Sequence, residues 1–129
     1  MTDAFVAAAL DILDSAIADF RSAIDGGTSE ALNWRPAGED TNSIAVLTVH
    51  SMHSTRSWLS VATGAALPER DRPSEFHATA PEQGELLATV DAFAGDYRRI
   101  LETSSVTDWG AARGAVLLTR QLWEQSARG

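Results

Sequence analysis

Cysteine is absent from the 129 residues of this sequence, and its absence excludes three kinds of chemistry. Disulfide bonds, zinc sites built on thiolates and cysteine nucleophiles all need a residue that the chain lacks. Long hydrophobic runs are also missing, because no apolar segment approaches the roughly 20 residues that a helix needs to cross a bilayer. The first residues, Met1 to Phe5, carry no positive charge of the kind that begins a secretory signal. We therefore expect a soluble, cytoplasmic protein that does not enter a membrane.

Basic residues are scarce. The chain has 10 of them against 18 acidic residues, and its formal net charge is −8. This balance repels phosphate backbones, so nucleic acid is not expected as a partner. The hydrophobic fraction of 44% and the charged fraction of 22% are typical of a globular protein. The length suits one domain, which we take to span residues 1–129.

The spacing of apolar residues predicts helices, because such residues recur at steps of three and four along most of the chain. Four helices are predicted: residues 3–24, residues 43–63, a third helix that follows the Thr79/Glu82 pair and ends near Thr103, and residues 108–125. No segment of four or more residues alternates convincingly between apolar and polar, so no sheet is expected. The predicted fold class is all-α, an up-and-down helical bundle.

Capping residues predict where two of these helices begin and end. Asn42 is a suitable N-cap for the second helix, and Gly64 a suitable C-cap. Thr79 and Glu82 have the spacing of a capping box ahead of the third helix. Residues 64–80 between these helices read as a polar loop, and loops of this length inside a compact domain are often functional.

Only three histidines occur, and they are the candidate metal ligands: His50, His53 and His77. His50 and His53 are one helical turn apart, which allows two imidazoles to bind one ion. The alternative for His50 is a buried histidine that is hydrogen-bonded to a neighbour, and for His53 a surface histidine. A catalytic metal site normally has three protein ligands and an open position. The third ligand would be His77 or a carboxylate such as Glu75, although both also read as solvated loop residues.

Other catalytic patterns are missing from the sequence. It contains neither a Gly-x-Ser-x-Gly nucleophile elbow nor a glycine-rich phosphate loop. The four tryptophans, Trp34, Trp58, Trp109 and Trp123, are candidates for lining a pocket, but aromatic residues at helical spacing more often belong to the core.

Five segments resemble the DinB-like (DinB/YfiT-type) superfamily of four-helix bundles. They are residues 32–36 (LNWRP), 42–50 (NSIAVLTVH), 56–59 (RSWL), 70–76 (RDRPSEF) and 118–125 (LTRQLWEQ). The resemblance implies a divalent metal, zinc or nickel, held by three histidines, with His50 at the position of the ligand from the second helix. It also implies metal-dependent hydrolase activity, or transferase or isomerase activity that depends on mycothiol or bacillithiol. Dimers are common in the superfamily.

The sequence departs from the superfamily pattern where the other two histidines would lie, on the fourth helix. Only residues 104–117 lie between the end of the third helix and the tail, where the superfamily pattern implies a full helix, and they contain no histidine. We therefore expect that most of the fourth helix is deleted and that the last helix is shortened. Such a bundle exposes part of its apolar seam, and large exposed apolar patches usually mark interfaces. We therefore expect a homodimer or a locally loosened bundle.

Three hypotheses for function follow from these observations, and they leave open whether the protein is an enzyme. The first is a metal-depleted module that binds a small molecule or a partner through the bundle cleft. The second is a divalent-metal-dependent hydrolase or thiol-dependent transferase. The third is a truncated relative without activity.

Overall fold

The computed structural model describes residues 3–106 and Trp109. This part of the chain contains no strand, so the predicted all-α class is confirmed there. Five α-helices and one 3-10 turn follow each other along it: α1 (Ala4–Ile24), α2 (Ser29–Asn33), the turn Gly38–Asp40, α3 (Ile44–Thr63), α4 (Arg72–Glu75) and α5 (Gln83–Glu102). The helix predicted over residues 108–125, and with it the shortened last helix, lies outside the described residues except at Trp109.

Helices α1 and α3 both pack on α5. Arg21 on α1 pairs with Asp91 on α5, and Arg98 on α5 pairs with Asp14 on α1. Because the later residue of α1 meets the earlier residue of α5, these two helices run antiparallel. The relative direction of α3 and α5, which a long loop joins, is different.

Helices α3 and α5 run parallel. Ala45 near the start of α3 belongs to the same buried cluster as Leu86 near the start of α5, and Leu59 near the end of α3 packs on the cluster that contains Leu101 near the end of α5. The up-and-down order predicted from the sequence is therefore wrong for this pair. The physical reason is the connection over residues 64–82, since about 19 residues extend far enough to return along a 20-residue helix of about 30 Å.

The returning segment is anchored to the rest of the fold by side-chain hydrogen bonds to its backbone. The amide of Asn33 donates to the carbonyl oxygen of Ala80 (2.7 Å) and accepts from the backbone N–H of Ala80 (2.8 Å). The guanidinium of Arg35 donates to the carbonyl oxygen of Phe76 (2.6 Å). These contacts hold α4, which Asp71 caps at its N-terminus, against one face of α3.

The helix ends differ from the predicted ones by small amounts. Ser43, rather than Asn42, caps α3, because its hydroxyl accepts the Val46 backbone N–H at 3.0 Å. Gly64 is confirmed as the C-cap, with a φ of 77° that suits glycine. The prediction of a capping box before α5 is wrong, since Glu82 occupies the N-cap position without a side-chain capping bond.

None of the helices in the described ranges combines the length and the apolar character that crossing a membrane requires.

Candidate functional site

A cavity of about 280 Å³ lies between α3 and the segment that returns from it. Among the described residues, its lining consists of His50, Ser54, Ser57, Trp58 and Val61 from α3, with Leu67, Arg70 and Arg72 from the segment. The α3 residues recur at steps of three and four, so they form one face of that helix. This face opens on the cavity, and Leu47 on the same face is 48% exposed.

Glu75 is a buried residue that contacts two of the lining residues, Arg70 and His50, and its relative exposure is only 3%. Its carboxylate accepts two hydrogen bonds from the Arg70 guanidinium, Nε to Oε2 at 2.7 Å and Nη2 to Oε1 at 2.8 Å. The two planar groups therefore meet in the bidentate geometry that makes arginine–carboxylate pairs strong. The carboxylate Oε1 also lies 2.9 Å from Nδ1 of His50. Glu75, a residue of the returning segment, thus links Arg70 of that segment to His50 of α3.

The environment of Glu75 favours its ionised form. Burial by itself raises the pKa of a carboxyl group, but the hydrogen bonds from Arg70 and His50 and the positive charges of Arg70 and His53 outweigh it. The net result is a pKa of Glu75 lowered from 4.5 to about 2. The carboxylate is therefore charged at any physiological pH and can only accept hydrogen bonds.

This acceptor determines how His50 is protonated. Because an ionised carboxylate donates nothing, Nδ1 of His50 must carry the hydrogen of the 2.9 Å contact. In the neutral imidazole, Nε2 then keeps a free lone pair. Within the described part of the chain, no hydrogen bond engages Nε2. The ring also packs on Phe76, with centroids 4.8 Å apart, and its side chain remains 27% exposed at the cavity.

The other two histidines lie elsewhere. His53 packs edge-on against Phe93 of α5, with ring centroids 4.9 Å apart. His77 follows α4 and is exposed, so it fits the solvated-loop alternative, whereas Glu75 does not. The alternative proposed for His50, a hydrogen bond to a neighbour, matches its contact with Glu75, although the ring is only partly buried.

A complete metal site is not assembled by the described residues. Across residues 3–106 and Trp109, no group of three or more histidine and carboxylate side chains is placed to hold one ion. Both oxygens of Glu75 are already engaged by Arg70 and His50, so this carboxylate does not fit as a ligand. Beyond residue 106 the sequence offers only two further carboxylates, Asp108 and Glu124, and no histidine. The zinc or nickel site stays a prediction.

The tryptophans divide between pocket, surface and core. Trp58 lines the cavity, and Trp34 is 63% exposed. Trp109 stacks on Phe5 with centroids 4.6 Å apart and packs against the cluster around Leu10. Trp123 lies outside the described residues. The pocket interpretation therefore applies to Trp58.

Reasoning from the sequence missed the role of Arg70. A signal for it was present, because Asp71 followed by Pro73 has the form of a helix start, with an N-cap and a proline in the first turn. A short helix at this place brings Glu75 back beside Arg70. The contact of Glu75 with α3 had no such local signal.

No protein-family model, no curated protein and no solved structure matches this chain. The resemblance to the DinB-like superfamily therefore rests on the quoted sequence segments alone.

Proposed function

We propose that this protein binds a small molecule in the cavity beside α3, with His50 as the polar group that holds it. The observation that carries the proposal is the contact between buried Glu75 and Nδ1 of His50 (2.9 Å), which fixes the orientation of an imidazole that lines the cavity. A ligand that forms a hydrogen bond with this imidazole meets a group whose orientation is already set, and such preorganisation reduces the entropy lost on binding.

The lining supports this proposal by its chemistry. Trp58, Val61 and Leu67 supply apolar surface, while His50 and the hydroxyl of Ser54 supply isolated polar groups. Small-molecule sites are typically apolar cavities with a few well-placed polar groups. The volume of about 280 Å³ is near the lower end of the usual range of roughly 300–1,000 Å³. A compact organic molecule therefore suits the cavity better than a nucleotide or a peptide.

A fragment titration followed by ¹H–¹⁵N NMR tests the proposal. Fragments from a diverse library are expected to shift the indole resonance of Trp58 and the backbone resonances around Ser54. Replacing His50 by alanine should weaken the binding of hydrogen-bonding fragments roughly tenfold, the value of one good polar contact. His53→Ala is the matched control, because His53 lies on the same helix and packs on Phe93 rather than lining the cavity; it should leave the affinities unchanged.

Two outcomes would contradict the proposal. The first is a library in which no fragment shifts Trp58 at concentrations up to about 10 mM, a limit that already corresponds to very weak binding. That result would favour a truncated relative without activity. The second is an equal loss of affinity in His50→Ala and His53→Ala, with both variants showing wild-type melting curves.

The second candidate is a metal-dependent hydrolase or thiol-dependent transferase of DinB-like type, and one observation favours it. Histidines that bind a metal commonly donate their other ring N–H to a carboxylate, as His50 does to Glu75. The metal content of protein purified from zinc- and nickel-supplemented medium distinguishes the candidates. Small-molecule binding without a metal predicts less than about a tenth of an equivalent, whereas near-stoichiometric metal that is lost in His50→Ala would support the metal enzyme. The homodimer stays a prediction, which light scattering tests.

A further inference from the structure

We infer that the ligand of this cavity is a flat molecule of two fused aromatic rings that carries its polar group at one end of its long axis. The inference rests on the proposed function, since it names the chemical class of the molecule that the cavity binds. Three features of the cavity lead to it: its extension along α3, the separation of polar from apolar groups along that helix, and its volume.

The cavity extends along α3 because its lining follows one face of that helix. His50 is the first α3 residue in the lining and Val61 is the last. They are eleven residues apart, which corresponds to about 16 Å along the helix axis. His50, Ser54 and Trp58 follow each other at steps of four, so their side chains lie one above the other on this face. A ligand that contacts both His50 and Trp58 therefore lies lengthwise on α3.

The polar groups that a ligand can use lie at the start of this face. The imidazole of His50 is held there by the 2.9 Å contact of Nδ1 with Glu75, and the Ser54 hydroxyl lies about one turn further along. The Arg70 guanidinium is engaged by protein groups, since it donates to both oxygens of Glu75 and, at 3.4 Å, to the hydroxyl of Ser57. The polar group of the ligand therefore pairs with His50 at this end.

The opposite end of the cavity is apolar. Trp58 and Val61 lie in the last two turns of α3. Leu67 belongs to the same end, because it follows the C-cap Gly64 by three residues and the chain carries it no more than about 11 Å from the helix terminus. Its side chain is 64% exposed, so a ligand that covers it removes apolar surface from water. The apolar body of the ligand therefore lies against Trp58 and Leu67, away from His50.

The volume of the cavity fits two rings. A protein cavity of roughly 150 Å³ holds one benzene molecule, and this cavity has a volume of about 280 Å³. Aromatic rings suit the indole of Trp58, since offset-stacked and edge-to-face pairs gain more than their buried area alone provides. Two fused rings also have a long axis, which matches the extension of the cavity along α3. A hydroxyl group at the end of that axis reaches His50 while the rings contact Trp58.

Four compounds test this inference. 2-Naphthol has its hydroxyl group at the end of the long axis, and 1-naphthol is the same molecule with the hydroxyl group at the side. Phenol has one ring only. The tetrahydro derivative of 2-naphthol keeps the phenol ring and has the other ring saturated. Each compound is titrated into the whole chain by isothermal titration calorimetry, and the backbone NMR resonances around Ser54 locate the binding.

2-Naphthol should bind most tightly of the four. Its advantage over 1-naphthol should be roughly tenfold, because the side hydroxyl loses its hydrogen bond to His50 when the rings reach Trp58. Its advantage over phenol should also be roughly tenfold, because the second ring buries additional apolar surface. Its advantage over the tetrahydro derivative should be about two- to tenfold, the value of an aromatic contact with the indole of Trp58.

Substitutions assign these preferences to particular side chains. Trp58→Leu keeps an apolar residue but removes the indole, so it should bring the affinity for 2-naphthol close to that for its tetrahydro derivative. His50→Ala should remove the preference for 2-naphthol over 1-naphthol. Trp34→Leu is the matched control, because Trp34 is 63% exposed and is not among the residues that line the cavity; it should keep both preferences. Melting curves show whether each variant is folded, and the comparison of the four compounds on the wild type does not depend on the variants.

The outcomes separate this inference from the proposed function. If 1-naphthol, phenol or the tetrahydro derivative binds near Ser54 as tightly as 2-naphthol, the inference is overturned while the proposed function stands. The same holds if none of the four compounds binds although library fragments shift Trp58. If Trp34→Leu loses the preferences as Trp58→Leu does, the compounds bind elsewhere and the inference is likewise overturned. If neither a compound nor a fragment binds, both fail.

Discussion

Replacing Glu75 by glutamine tests the central contact of the site. Glutamine keeps the shape of the side chain and an oxygen that accepts from Nδ1 of His50, but it has no charge for the Arg70 guanidinium. The magnitude follows from the pKa of Glu75, which is lowered from 4.5 to about 2 in the folded chain. At 1.36 kcal/mol per unit, ionised Glu75 stabilises the fold by about 3 kcal/mol at neutral pH. Glu75→Gln should lose this amount, a large part of a typical stability of roughly 5–15 kcal/mol.

The pH dependence is the sharper part of this prediction. A carboxyl group whose folded pKa is lowered contributes its full stabilisation above its ordinary pKa of 4.5, and it loses that stabilisation as the pH falls towards about 2. The neutral glutamine has no such dependence. The difference in unfolding free energy between wild type and Glu75→Gln should therefore shrink from about 3 kcal/mol at pH 7 to about 1.5 kcal/mol at pH 3.

Urea denaturation followed by tryptophan fluorescence measures this difference at a series of pH values. Glu69→Gln provides the control, because Glu69 is an exposed residue of the same loop and its replacement should change the stability by less than about 0.5 kcal/mol. The reasoning is refuted if Glu75→Gln costs no more than Glu69→Gln at pH 7. It is also refuted if the cost of Glu75→Gln is the same at pH 3 as at pH 7.

Two further substitutions test the framework that positions the site. Asn33→Ala removes the side chain that pairs with both backbone groups of Ala80, and leaving these groups unsatisfied should cost about 1–3 kcal/mol in urea denaturation; a change below about 0.5 kcal/mol would show that water replaces the amide. Ile24→Ala leaves a cavity at a fully buried position, since Ile24 is 0% exposed, and it should lower the free energy of unfolding by about 2–5 kcal/mol in the same assay. Ile12→Ala, at a position 70% exposed, is its control, and equal losses for the two variants would contradict the assignment of the core.

The long helices were predictable from the sequence because their signals are local. The three- and four-residue steps of apolar residues predicted helices over 3–24 and 43–63, and the structure has Ala4–Ile24 and Ile44–Thr63. The C-cap at Gly64 was equally predictable, since a left-handed C-cap needs no more than the glycine itself. The N-cap of α3 was off by one residue because Asn42 and Ser43 are both good capping residues, and the backbone conformation decides between them.

The direction of α5 relative to α3 was not predictable in the same way. A loop over residues 64–80 is compatible with an antiparallel or a parallel neighbour, because its length covers either path. The choice depends on which apolar faces fit together and on anchors such as Asn33, whose partner Ala80 is 47 residues away. Such contacts have no signature within a window of the sequence.

The sequence by itself determined the all-helical class and the positions of the main helices, because periodicity, caps and composition depend only on neighbouring residues. His50 was singled out by the resemblance to the DinB-like superfamily, which implies a metal ligand at this position. Tertiary structure alone decided which groups His50 contacts. It brought Glu75 from 25 residues away to Nδ1 of the imidazole, buried that carboxylate beside Arg70, and left His53 packed on Phe93. The chemistry of an imidazole depends on the group that its second nitrogen meets, and in this protein the path of the returning loop supplies that group.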